Sequence, residues 1–121
     1  MEFKLRRDIG NNGDGSAVVA EWTALAETDT APFPVEMPEW GDRSVQVSGT
    51  FNGGTVLIEG SNDGTNWNTL NDPQGNPLSF TAAKIEQVLE ITRFMRPRVS
   101  AGTEVSVNVH MLLRRTSSMR N

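Results

Sequence analysis

The chain has 121 residues, 36% of them apolar, with eleven Gly, six Pro, no Cys and a net charge of −4. That length fits one domain with a modest core, and so many turn-forming residues favour short strands over helices. The lack of Cys excludes disulfides, thiolate metal sites and thiol nucleophiles, no apolar run reaches the length of a membrane span, and residues 1–7 lack the apolar stretch of a signal peptide.

Phe3 and Leu5 alternate with Lys4 and Arg6 in a short N-terminal strand pattern. Residues 9–15 are a Gly/Asn/Asp loop. Residues 16–25 alternate again, with Val18, Ala20, Trp22 and Ala24 predicted on one face. Pro32, Pro34 and Pro38 then space Phe33, Val35 and Met37 along an extended path that cannot enter a sheet centre. Residues 1–41 are therefore expected to form an extended N-terminal arm. It would pack on the sandwich or on a neighbour, with Phe33, Val35, Met37 and Trp40 as its anchors. On that expectation, removing residues 1–40 leaves a folded domain.

The core domain is expected over residues 42–115. Residues 43–51 alternate, with Val45, Val47 and Phe51 on one side. Asn52-Gly53-Gly54 has turn composition, and Val56 and Ile58 mark the next strand, so residues 44–60 read as a β-hairpin. Asn62-Asp63-Gly64 is a tight turn, followed by a short strand at 67–70, a loop at 71–77 and another short strand at 78–81. Residues 82–88 have helical propensity, and 88–92 look extended. The strand over 94–99 contains Pro97, which assigns it to an edge or a strand end. The clearest alternation is the last, in which Val105, Val107, Val109, Met111 and Leu113 share a face. Residues 116–121 are expected to be a flexible tail.

Charge is unevenly spread. Lys4, Arg6 and Arg7 make the start basic, and Arg93, Arg96, Arg98, Arg114, Arg115 and Arg120 make the end basic. Residues 8–92 hold thirteen acids against Arg43 and Lys84. Such a layout suits contacts between identical chains, with Arg96, Arg98, Arg114 and Arg115 as candidate partners for the acidic middle of a neighbour.

Catalytic patterns are sparse. His110 is the only histidine, so a Ser/His/Asp triad or a histidine metal site would have to use it. It sits mid-strand on the polar face with no second histidine to share a metal, and reads as a structural or surface residue, which leaves a hydrolase as the weakest alternative. Glu86 and Glu90 would share a face only on a longer helix. Asn11–Gly15 offers oxygen ligands but lacks the register of an EF-hand. The acidic balance and the lack of Tyr argue against a nucleic-acid face for the arginines. Trp22, Trp40 and Trp67 admit a sugar-stacking platform, although Trp67 reads more simply as a core plug beneath its turn. No enzyme activity, cofactor, metal, membrane or nucleic-acid partner is expected.

Gly54-Thr55-Val56-Leu57-Ile58-Glu59-Gly60-Ser61-Asn62-Asp63-Gly64-Thr65-Asn66-Trp67 continues into Leu70-Asn71-Asp72-Pro73-Gln74-Gly75-Asn76-Pro77-Leu78-Ser79-Phe80-Thr81. With Arg93-Phe94-Met95-Arg96-Pro97 and Leu112-Leu113-Arg114-Arg115, these segments resemble structural proteins of tailed phages, in particular head decoration (cement) proteins. The resemblance spans roughly residues 42–115. It implies a jelly-roll-like β-sandwich that forms a homotrimer, is made in the host cytoplasm and binds the major capsid protein on the outside of the virion. The strand–Asp-Gly turn–Trp element also recurs in sandwich modules that bind glycans. A tail or baseplate subunit and a glycan-binding module on the virion surface therefore stand as alternatives.

Overall fold

The computed structural model describes residues 1–10, 13 and 15–115. Ten strands form in chain order: β1 (Glu2–Ile9), β2 (Ala17–Leu25), β3 (Val35–Glu36), β4 (Asp42–Thr50), β5 (Thr55–Ser61), β6 (Asn68–Thr69), β7 (Ser79–Phe80), β8 (Lys84–Gln87), β9 (Phe94–Ser100) and β10 (Ser106–Arg114). They make two antiparallel sheets. One has the order β1-β2-β10-β4-β8; the other runs β3-β9-β5-β6, with β7 also on β5. Setting β1 aside, this is the strand order of a jelly roll. The all-β sandwich expected from the alternation is thus the fold that forms.

Alternation explains why the layers pack. The central strand β10 turns Val107, Val109, Met111 and Leu113 inward, each fully buried. Val45 and Val47 of β4 face them from the same sheet, and Val56, Ile58, Met95 and Val99 close the core from the other. At about 25 cal/mol per Å² of buried apolar surface, this continuous core is the main source of stability.

Five expectations are corrected. Residues 1–41 are not laid over the sandwich as an arm. They supply β1, β2 and β3, and Val18, Ala20, Trp22, Leu25, Val35 and Met37 belong to the core cluster. The chain has no structural division at residue 41.

Residues 44–60 are not a hairpin. The turn forms, with Asn52 and Gly53 both at positive φ, but it carries the chain from β4 in one sheet to β5 in the other. Both strands present valines to the core either way, so alternation alone does not distinguish an arch from a hairpin.

The helix expected at 82–88 is instead strand β8, paired with β4 from Ser44↔Gln87 to Val47↔Lys84. The open edge of β4 overrides a weak local propensity. Ala24 does not follow Trp22 into the core. It adopts φ 55° in a bulge opposite Val107–Val109, and Leu25 is buried in its place. The Asn108 side-chain oxygen accepts from the freed Ala24 amide at 3.1 Å.

The expectation that Pro97 marks an edge strand or a strand end is corrected: β9 lies between β3 and β5, and Pro97 is in its middle, opposite Ile58. Proline is tolerated there because β3 pairs with β9 only at Phe94 and Met95, which leaves the flank beside Pro97 open. The tail expectation for residues 116–121 lies outside the described residues.

Candidate interaction surfaces

The proline-spaced segment converges on a groove between the two sheets. β1 is the edge of one sheet and β3 the edge of the other. Phe3, Leu5, Phe33, Val35, Met37 and Phe94 line the space between them, which measures about 470 Å³. The Phe3 ring lies 4.9 Å from Trp22 and 4.8 Å from Phe33. Three of the four expected anchors thus meet in one place, yet their exposure differs. Val35 and Met37 are buried in the chain's own core, whereas Phe33 is 58% exposed. Trp40 does not line this groove. It is half-buried against the core, and the Arg115 guanidinium lies 6.0 Å from its ring.

The four arginines expected to reach a neighbour find acids of the same chain. Arg96 and Arg98 both lie on the outer face of β9, opposite Glu59 and Leu57 of β5. Their Nε atoms donate to the two oxygens of Glu59 at 3.1 and 2.9 Å. That carboxylate is almost fully buried beneath them. Arg114 pairs with the half-buried Asp42 at 3.2 Å, and Arg115 with the exposed Glu39 at 3.1 Å. Opposite signs in the sequence are therefore satisfied within the monomer first.

Trp67 is not a core plug. It is half-buried on the outer face, with Arg96 stacked 3.9 Å from its ring centroid and Phe94 at 6.3 Å. The preceding turn is held by Asp63. Its carboxylate accepts from the Asn66 and Thr65 amides, the Asn66 side chain and the Ser61 hydroxyl. These bonds, the backbone ones foremost, hold the carboxyl far below its ordinary value. A polar cleft of about 420 Å³ opens beside this turn, lined by Ser61, Asn62, Asp63, Asn66 and Asn68 among others.

Other titratable groups do structural work. Asp72 accepts from the Asn76 and Gln74 amides in the 71–77 loop, and these bonds lower its pKa. Burial raises Glu90, but two bonds from Asn71 outweigh it and leave the group lowered. Glu27 caps the Glu104 and Val105 amides. His110 lies on the outer face of β10, 4.0 Å from Glu21. Among the described residues, no three His, Asp or Glu side chains are grouped to hold a metal ion. Asn11, Asn12 and Asp14, part of the oxygen-rich loop, lie outside the described residues.

Two features escaped the sequence reading. Glu59 was hidden in the apolar run Val-Leu-Ile-Glu, although its face could be matched to the Arg-Pro-Arg spacing of β9. Ile85, Leu89 and Ile91 carry no sequence signal of exposure, yet they are 60%, 53% and 54% exposed. No family model, curated protein or solved structure matches this chain.

Proposed function

We propose that this chain is a structural virion protein, a decoration protein that binds the outside of an assembled phage head through the major capsid protein. The resemblance of residues 42–115 to cement proteins supplies the class. The observation that carries the reading is Phe33, a large apolar side chain left 58% exposed over a groove lined by other apolar groups. An extended apolar segment of a shell subunit is the occupant such a groove suits. Binding only to the assembled shell stabilises it by mass action, and many copies sum modest affinities. The resemblance further implies trimers of this chain at threefold positions.

Co-sedimentation with purified expanded heads tests the reading. Wild-type chain pellets with the heads, and Phe33→Ser binds at least about tenfold more weakly with an unchanged unfolding midpoint. Absent binding by the wild type, or equal binding by the variant, rejects it. Binding to isolated tails instead of tailless heads would favour a tail or baseplate subunit.

A second reading, a glycan-binding module, is favoured by the half-buried Trp67 near the amide-lined cleft at 61–68. It requires saturable sugar binding that Trp67→Ala abolishes while the fold is retained.

A further inference from the structure

The β1-β2-β10-β4-β8 sheet has two edges, and they differ in how they treat a second copy of themselves. Among the described residues, β1 pairs only with β2, and β8 only with β4. An exposed edge is a template for another strand unless something guards it. An antiparallel two-fold contact pairs each edge with its own reverse, so the sequence of the edge decides the outcome.

On β1 the contact is opposed. A two-fold centred on Leu5 sets Glu2 against Asp8 and Lys4 against Arg6, all like charges. A two-fold centred on Lys4 sets two lysines face to face at its centre, against one favourable pairing of Glu2 with Arg6. β1 also bulges between Arg6 and Ile9, a further guard.

On β8 the pattern is self-complementary. A two-fold through Ile85 sets Lys84 against Glu86 of the second copy, Ile85 against Ile85 and Glu86 against Lys84. Ile85 stands on the outer face with 60% of its surface exposed. It borders a shallow apolar cleft of about 270 Å³ that includes Val19 and Leu112. Leu89 and Ile91 continue the exposed apolar margin just beyond the strand. On the other face Lys84 already approaches Glu86 at 3.8 Å. Glu86 also contacts the Asp72 carboxyl, so this side holds two acids and one lysine, which a second lysine would balance.

We infer that the β8 edge binds the β8 edge of a second copy, antiparallel about Ile85, and joins two five-stranded sheets into one. This two-fold contact is independent of the head-binding reading and separate from the threefold association that the resemblance implies.

Sedimentation velocity over a concentration series, with charge-swapped variants, tests it. The wild type shows a reversible doubling of mass. Lys84→Glu and Glu86→Lys each place like charges across the contact and weaken the doubling by about tenfold or more. An equimolar mixture of the two variants restores opposite charges at both positions and recovers the doubling. Ile85→Ser removes the apolar pair and also weakens it. Lys84→Glu and Ile85→Ser keep the wild-type circular dichroism because both side chains are exposed, and recovery in the mixture shows that Glu86→Lys, at a side chain only 28% exposed, is folded. The inference is overturned if the wild type shows no doubling, if any of these variants doubles as tightly as the wild type, or if the mixture fails to recover.

Discussion

The indole N–H of Trp22 donates to the Phe33 carbonyl at 2.8 Å. This bond ties the second strand of one sheet to the proline-spaced segment that leads into the edge of the other. Trp22 is fully buried, and Phe3 stacks between its ring and that of Phe33. Deleting residues 1–40 therefore removes two strands from one sheet and one from the other, with six core side chains. The truncated chain is expected to lose cooperative thermal unfolding by circular dichroism. The milder Trp22→Ala is expected to cost about 3–5 kcal/mol, a large share of a small domain's stability. A truncated chain that still melts cooperatively would show that the sandwich closes without its first three strands.

Glu59 is the second pivot. Its carboxylate is 8% exposed, under Arg96 at 15%. By contrast, Arg115 and Glu39 are 66% and 73% exposed. A desolvated pair interacts more strongly than a screened one, and removing one partner strands the other. Glu59→Gln is expected to cost roughly 1–3 kcal/mol. A double-mutant cycle with Arg96→Met is expected to show a coupling clearly larger than that of Glu39→Gln with Arg115→Met, which should lie near zero. Equal couplings in urea titrations would mean that the arginine fork on Glu59 carries no more than a surface pair.

The inner faces of β10, β4 and β5 were legible because a half-buried strand must alternate. The jelly-roll pairing was not, since Val56 and Ile58 look the same whether β5 returns beside β4 or crosses to the opposite sheet. That choice is made by β9 and β10, distant in sequence. β8 was misread for a related reason: residues 82–88 have no strong preference of their own and take the form that β4's open edge demands. The bulge at Ala24 was invisible without its partner Asn108. The arginines were legible as charges seeking acids, but whether those acids lay in the same chain depended on register. Phe33, Val35 and Met37 were legible as apolar groups needing cover. That two of them are covered by the chain's own core depended on β2 and β3 joining the sheets.

The Asp63 turn predicts an acid response. Its carboxyl is lowered in the folded chain by the amides of Asn66 and Thr65 and by two side-chain donors. A carboxyl lowered on folding contributes stability that is present above its unfolded pKa, about 4, and is lost as pH falls toward the folded value. Asp72, lowered chiefly by the Asn76 amide, acts in the same direction. The urea midpoint of the wild type is expected to fall steadily as pH drops below about 4. Asp63→Asn keeps an acceptor oxygen but has no charge to lose. It is expected to be less stable than the wild type at pH 7 and to show a shallower decline. Parallel pH profiles for the two would mean that Asp63 is not a source of the acid sensitivity.

Arg43 carries the sharpest contrast between two cations. It is 3% exposed, and burial lowers its pKa. Its guanidinium is held by backbone carbonyls: Nε donates to the Trp40 carbonyl at 2.8 Å, and one terminal nitrogen donates to the carbonyls of Met37 and Thr92, both at 3.0 Å. These bonds fasten the approach to β4 against the approach to β9. A guanidinium can span such separated acceptors and stays charged throughout the accessible pH range; an ammonium does neither as well. Arg43→Lys is expected to cost about 1–3 kcal/mol at pH 7. It should also add a pH dependence that the wild type lacks. Burial depresses the folded pKa of a lysine here below its unfolded value of about 10.4. Between those two values the unfolded chain binds more protons, so stability must rise with pH. The urea midpoint of Arg43→Lys should therefore climb relative to wild type as pH is raised from 7 toward 10. A constant offset between the two proteins over that range would mean that the lysine keeps its ammonium solvated, and that the pocket around Arg43 opens to water more readily than its burial indicates.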